Sequence, residues 1–260
     1  MMILFYLFPL LFNNLISAQS DAGMTESGQI NKLIFDTVAS SPAFITRTQF
    51  VEAWNAAVPY LPKPSEAKHL NVFEYPYFMN TAVVIGKINN ATQLAMYFAQ
   101  VLYETNGLTI SQVAPCSKLG TPDACSDYVN NRVNNDGRYC DCVDYRGRGR
   151  LFIEDVEDYK SASQALFDSD ILFQHPDHVE SYPQVAWATA AWNWATNVGS
   201  LIGTSDAFGL TTKFLRPNDC YSSAVTSDES ATAFNIYQQV LSVFDPDRTA
   251  NPAGCVPNRK

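Results

Sequence analysis

Apolar and polar positions recur with a helical period in four stretches of the chain. Thr46-Arg47-Thr48-Gln49 has the form of a capping box, and Phe50, Val51, Trp54, Ala57 and Val58 follow at helical spacing. This predicts a helix that ends at Val58-Pro59, with Pro62 and Pro64 keeping the next stretch irregular. A second helix is predicted from about Ala91 to Glu104, with Leu94, Tyr97, Phe98, Val101 and Leu102 as its apolar stripe and Asn106-Gly107 as its stop. A third, Pro183 to Asn197, opens on a proline and ends before Gly199. It carries Trp187, Trp192 and Trp194 among small residues, the pattern of a central helix closely packed by its neighbours. A fourth runs from about Glu229 to Phe244, with Ala233, Phe234, Ile236, Tyr237, Val240 and Leu241 inward. Residues 109–150 are polar, with four Cys, many Asn and several Gly, so cross-links there stand in for packing. There is no internal repeat and no low-complexity linker. The expectation is a mainly α chain with one domain over residues 19–260.

The N-terminus and the cysteines bear on the compartment. Met1 to Ala18 contains no Lys, Arg, Asp or Glu, and its apolar run Met1–Phe12 is too short to span a bilayer. Small residues close it before the polar Gln19-Ser20, the pattern of a cleaved secretory leader, although no basic residue precedes the apolar run. Residues 1–18 are therefore expected to be a signal peptide, and the mature chain to be secreted, free of the membrane and monomeric. The six cysteines suit three disulfides, with fifteen pairings open in principle. Cys220 with Cys255 is the simplest pair, and pairing among Cys116, Cys125, Cys140 and Cys142 stays open. The spacings of these four do not match zinc knuckles, so no metal is assigned to them. His175 and His178 could be read as a metal pair, but no third ligand is evident, and the histidines are read as surface or loop residues. Asn90-Ala91-Thr92 is a glycosylation sequon.

Charge narrows the classes of partner. The 260-residue chain has 17 Lys+Arg against 26 Asp+Glu, a formal charge of −9, and such a surface repels a nucleic-acid backbone. The hydrophobic fraction of 47% is enough for a real core and argues against disorder. Glu104 lies at the edge of a buried stripe and in the last turn of its helix, where the dipole is negative. Both effects raise a carboxyl pKa, and a raised acid is what protonation of a leaving oxygen requires. Taken alone, the position suits a solvated or ion-paired acid at least as well. In Tyr145-Arg146-Gly147-Arg148-Gly149-Arg150 two glycines bracket an arginine, the pattern of a tight path presenting Arg148 inward, where it either pairs with an acid in a cleft or belongs to a solvated basic turn. The spacing is neither a P-loop nor a dinucleotide fingerprint, and no cofactor is expected.

These segments, in order, resemble the family 19 glycoside hydrolases, the plant-type chitinases. Phe98-Ala99-Gln100-Val101-Leu102-Tyr103-Glu104-Thr105-Asn106-Gly107 resembles the family's Phe-Phe-Ala-Gln-x-x-His-Glu-Thr-x-Gly helix end. Tyr145 to Gly149, with Tyr159 downstream, resembles Tyr-Tyr-Gly-Arg-Gly and its later Tyr. His175-Pro176-Asp177-His178-Val179, Thr189-Ala190-Ala191-Trp192-Asn193-Trp194 and Phe208-Gly209-Leu210-Thr211-Thr212 match further family segments, and Cys220 and Cys255 match its later cysteines. The resemblance covers about Phe44 to Cys255. It implies a lysozyme-like, α-helical, bilobal domain with disulfides. It also implies binding or inverting hydrolysis of chitin or related β-1,4-N-acetylglucosamine polymers, with Glu104 as general acid.

The resemblance departs at the chemistry positions. An inverting enzyme needs a second carboxylate about 6.5–9.5 Å from the first. The family's base position falls on Val113, with Gln112 beside it, and neither accepts a proton from water. Glu154 occupies the place of the family's water-holding Ser and is the candidate replacement base. Tyr103, Gln112, Tyr145, Arg148, Phe152 and Asp158 are the candidate substrate-binding residues. The family's turn Asn falls near Arg216, and the Arg of its last helix falls on Ala233. Three readings follow: a chitinase with a rebuilt site, an inactive carbohydrate-binding protein on the same scaffold, or a protein-interaction role in which Glu154 to Asp158 is a solvated face.

Overall fold

The computed structural model describes residues 43–112, 145–221 and 227–255. Residues 1–18, expected to be a signal peptide, Val113, and Cys116, Cys125, Cys140 and Cys142 lie outside the described residues. The described part is built of helices, and its only extended pairings are isolated bridges.

The capping box forms as predicted. Thr46 accepts from the Gln49 backbone at 3.2 Å while Gln49 Oε1 accepts from the Thr46 backbone at 2.9 Å, starting α1, Arg47–Ala57. Helix α2, Tyr75–Val84, was not predicted. Its sequence is nearly all apolar, so no polar face marks a period, and it follows the proline-rich stretch. Helix α3 spans Ala91–Glu104 and is capped by Asn90, whose side chain accepts from the Gln93 backbone at 2.8 Å. Helix α4, Val156–Phe167, grows out of the acidic run: Asp155 is its N-cap, accepting from the Asp158 backbone at 2.9 Å. Glu154 to Asp158 thus forms the start of a helix, with Glu157 exposed and its neighbours half-buried.

Helix α5, Pro183–Trp194, continues past the predicted stop through a π turn, Ala195–Gly199, and a short piece, Ser200–Ile202. Gly203, with φ +53°, ends that path, so Gly199 is not the stop. Helix α6, Phe208–Leu215, leads through Arg216 into the short helix Pro217–Tyr221, and α7, Ser227–Phe244, closes the set.

Two hydrophobic cores result. In the larger, α7 lies against α3 and α1, and Phe50, Phe78, Phe98 and Phe244 pack ring on ring, with Phe98 and Phe244 stacked at 5.8 Å. The smaller gathers Ile153, Tyr159, Ala162, Leu172, Val179, Val185 and Ala188. Helix α5 serves both: Trp187 and Trp194 enter the larger core, and Trp192 lies half-buried against the smaller. Placing the three tryptophans in packing therefore holds, with Trp192 at the margin. The chain from Tyr145 to Asp155 threads between the cores, Leu151 entering one and Ile153 the other. Gly149, at φ +107°, lets this strand pass α5, because a Cβ there would stand 3.2 Å from Thr189 Oγ1 and Val179 Cγ1. The disulfide joins Cys220 to Cys255 as expected. No helix among the described residues is long and apolar enough to cross a membrane.

Candidate active site

The site forms where α3 ends at the seam of the two cores. Asn106, at φ +47°, takes the left-handed cap position. Gly107 N–H bonds back to the Leu102 carbonyl at 2.8 Å and Asn106 N–H to that of Tyr103 at 3.3 Å. This is a Schellman ending, and the predicted stop has its physical basis there. The turn is anchored from outside. Trp54 Nε1–H donates to the Gly107 carbonyl at 3.0 Å, and the Asn106 amide bonds both backbone groups of Lys63 at 2.9 and 3.0 Å. The last side chain of α3, Glu104, is held on a fixed stem.

Glu104 Oε1 accepts from the Phe152 backbone N–H at 2.6 Å. Phe152 is itself held from α5, where Asn193 Nδ2 donates to its carbonyl at 3.1 Å. On the other side, Arg216 Nη1 stands 3.6 Å from Glu104 Oε2, buried and without a hydrogen-bond partner. The rest of that guanidinium is well placed. Nη2 donates to Gln100 Oε1 at 2.5 Å, Nε pairs with Asp219 at 2.8 Å, and the cation lies 4.3 Å from the Tyr103 ring centre. Gln100, one turn before Glu104, in turn donates to Thr211 and Thr212 of α6 at 2.6 and 2.9 Å.

Burial dominates the Glu104 carboxyl and raises its pKa from 4.5 to about 7. The Arg216 cation and the Phe152 N–H work against this, whereas the charges of Glu154 and Asp219 add to it. The side chain keeps 16% exposure, an opening through which a ligand oxygen can meet it. Such a carboxyl is largely protonated at mildly acid pH and is equipped to donate its proton. Burial likewise pushes the Tyr103 phenol to about 12, with Arg216 opposing. Tyr103 thus remains an O–H donor at physiological pH.

The other sequence-predicted positions divide. Glu154 is half-buried and close enough for its charge to act on Glu104, and its backbone N–H donates to Asp158 Oδ2 at 3.4 Å. Phe152 reaches the site through its backbone. Asp158 serves the start of α4. Arg148 is only 3% exposed: Nη1 donates to the Tyr159 hydroxyl at 3.0 Å and Nε stands 3.3 Å from Glu180. It finds its acid, but inside the smaller lobe. Tyr145 stacks on Phe173 at 5.4 Å and donates to its carbonyl at 3.0 Å. Gln112 accepts from Arg146 Nε at 2.7 Å. These three side chains organise the loop beside the site. Arg216, Gln100, Asp219 and Asn193 were not singled out as site residues. Gln100 carried a signal, an amide one turn before Glu104 inside the otherwise apolar run Leu94–Leu102.

The comparisons with known proteins agree with this architecture. No family model matches the chain. An endochitinase of Arabidopsis thaliana is 26% identical over 179 residues, 68% of this chain and 53% of that protein. The chain thus spans about half the length of the curated relative it matches. Among solved structures, chitinase C of Streptomyces griseus superposes with a TM-score of 0.57 at 19% identity, covering 82% of this chain and 81% of that one. The family 19, class IV chitinase of Zea mays gives 0.54 at 20% identity, covering 78% and 98%. The chain thus shares its fold with these chitinases and is similar in sequence to the plant endochitinase over two thirds of its length.

Proposed function

We propose that the protein is a secreted hydrolase of β-1,4-linked N-acetylglucosamine polymers, acting with inversion, in which Glu104 protonates the leaving oxygen and Glu154 activates the attacking water. The observation that carries this reading is the Glu104 carboxyl, pushed up to about 7 and still reachable from solvent, on a chitinase-type fold. The electrostatic proximity of Glu154 supports the second role. In this reading Met1 to Ala18 is removed on export, the mature chain is a monomer, and Asn90 carries a glycan. Asn90 is exposed, as an acceptor must be.

The test is cleavage of chito-oligosaccharides by the mature protein, with product anomers followed by NMR. Glu104→Gln is expected to abolish release of reducing ends. Glu154→Gln is expected to lower it about 10²–10⁴-fold while leaving the thermal midpoint nearly unchanged. Full activity in Glu154→Gln removes that residue from the mechanism. A second reading, a binder without turnover, is favoured by the absence of an acid at positions 112 and 113. Retention on chitin beads with no cleavage by the wild type would select it.

A further inference from the structure

The turn His175-Pro176-Asp177-His178 lies between the short helices Ile171–Gln174 and His178–Ser181, in the smaller lobe. The sequence offers two histidines there and no evident third ligand. The fold supplies one. A donor atom from each of His175, Asp177 and His178 lies within 4.8 Å of the others. The two imidazoles are nearly parallel, with centroids 5.0 Å apart. His178 is 8% exposed, contrary to the surface position expected of it, and its Nδ1 is buried with no hydrogen-bond partner. A buried ring nitrogen without a partner is costly and calls for an explanation. Tyr182 packs edge-on at 5.1 Å and holds the His178 ring in place.

We propose that His175, Asp177 and His178 form a binding site for a divalent first-row transition ion, zinc foremost. Two imidazole nitrogens and one carboxylate oxygen are the donor set such ions prefer, whereas calcium and magnesium seek all-oxygen sets. Zinc bonds of about 2.0–2.2 Å hold tetrahedral donors roughly 3.4 Å apart, inside the 4.8 Å that bounds this set. His175 and Asp177 are exposed, so side-chain rotation can close the set on the anchored His178. Three protein ligands leave one position for water, as in open zinc sites. Occupancy would fasten the turn preceding Glu180, the acid that receives Arg148.

Zinc chloride is titrated calorimetrically into the full mature protein after chelator treatment and dialysis, beside His175→Gln/Asp177→Asn and His178→Gln. The double variant changes only exposed side chains and is expected to keep the helical circular dichroism, which separates ligand loss from misfolding. The wild type is expected to take up one equivalent, with a raised thermal midpoint. The double variant is expected to lose more than about 10-fold in affinity, the loss that even an outer-shell change can produce. Cobalt is expected to give a visible absorption band in the wild type that is lost in both variants. Equal zinc affinity in the wild type and the double variant, or no uptake by the wild type, overturns the proposal.

Discussion

Glu104 holds its proton toward neutrality because ionising it would place a charge where water is largely excluded, and Arg216 limits how far this goes. The positioning role of Arg216 can therefore be read from a pH profile. Arg216→Gln removes the opposing cation, so the Glu104 pKa rises and the alkaline limb of kcat/KM moves to higher pH, while Arg216→Lys moves it less. A fall in rate with the limb unmoved would mean that Arg216 acts through packing alone. The same carboxyl leaves a mark on stability. Its folded value, about 7, lies above the ordinary 4.5, so its stabilising contribution is complete below pH 4.5. As pH rises from 4.5 toward 7 the unfolded chain loses this proton while the folded one keeps it, and stability falls by an amount on the order of 3 kcal/mol. Glu104→Gln lacks this term. Its stability relative to wild type, from urea melts, is expected to improve between pH 4.5 and 7 and to level off above.

Among the elements, α6 controls where Arg216 sits, and its seat is the C-terminal segment. Phe208 N–H donates to the Asn251 carbonyl at 2.9 Å, and the Cys220–Cys255 disulfide joins the next short helix to the same segment. Gly209 makes the approach possible. A Cβ there would stand 2.3 Å from the Cys255 nitrogen, 2.6 Å from the Pro252 carbonyl oxygen and 2.7 Å from that of Ala253, all backbone atoms. Gly209→Ala is expected to force the two segments apart at a cost of about 1–3 kcal/mol, read by denaturant titration. The bounds of α3, its Asn-Gly ending and the capping box of α1 were legible because short-range hydrogen bonding decides them. Helix α2 was not, since its nearly all-apolar sequence lacks the alternating faces that betray a helix lying on a surface, and α6, at eight residues, is too short to establish a helical period.

At the scale of the molecule, one buried ion pair ties the inter-core loop to the larger core. Arg150, 7% exposed, bonds Glu74 at 2.5 Å, and Glu74, 6% exposed, also accepts from Trp187 Nε1 at 2.7 Å. Glu74→Gln keeps a partner for Trp187 but strands the Arg150 charge, with an expected loss of about 3–5 kcal/mol. Adding Arg150→Met is expected to restore much of it, because the cost lies in the unpaired charge rather than in the missing bond. Calorimetric melts of the single and double variants check this. A single variant as stable as wild type would show that water reaches Arg150.

Local signals in the sequence determined the mainly helical class, the start of α1, both ends of α3, the Cys220–Cys255 pair and the acid at the end of α3. Each rests on residues near one another in the chain or on an order of segments that resembles a family. The tertiary structure alone decided which groups surround Glu104. Arg216 arrives from 112 residues away and Phe152 from 48, and their effect on the carboxyl comes from distance and excluded water, which no spacing along the chain encodes. The same reason explains Arg148: its glycine bracket allowed an inward side chain with a partner acid, but only packing could choose Glu180 over Glu104.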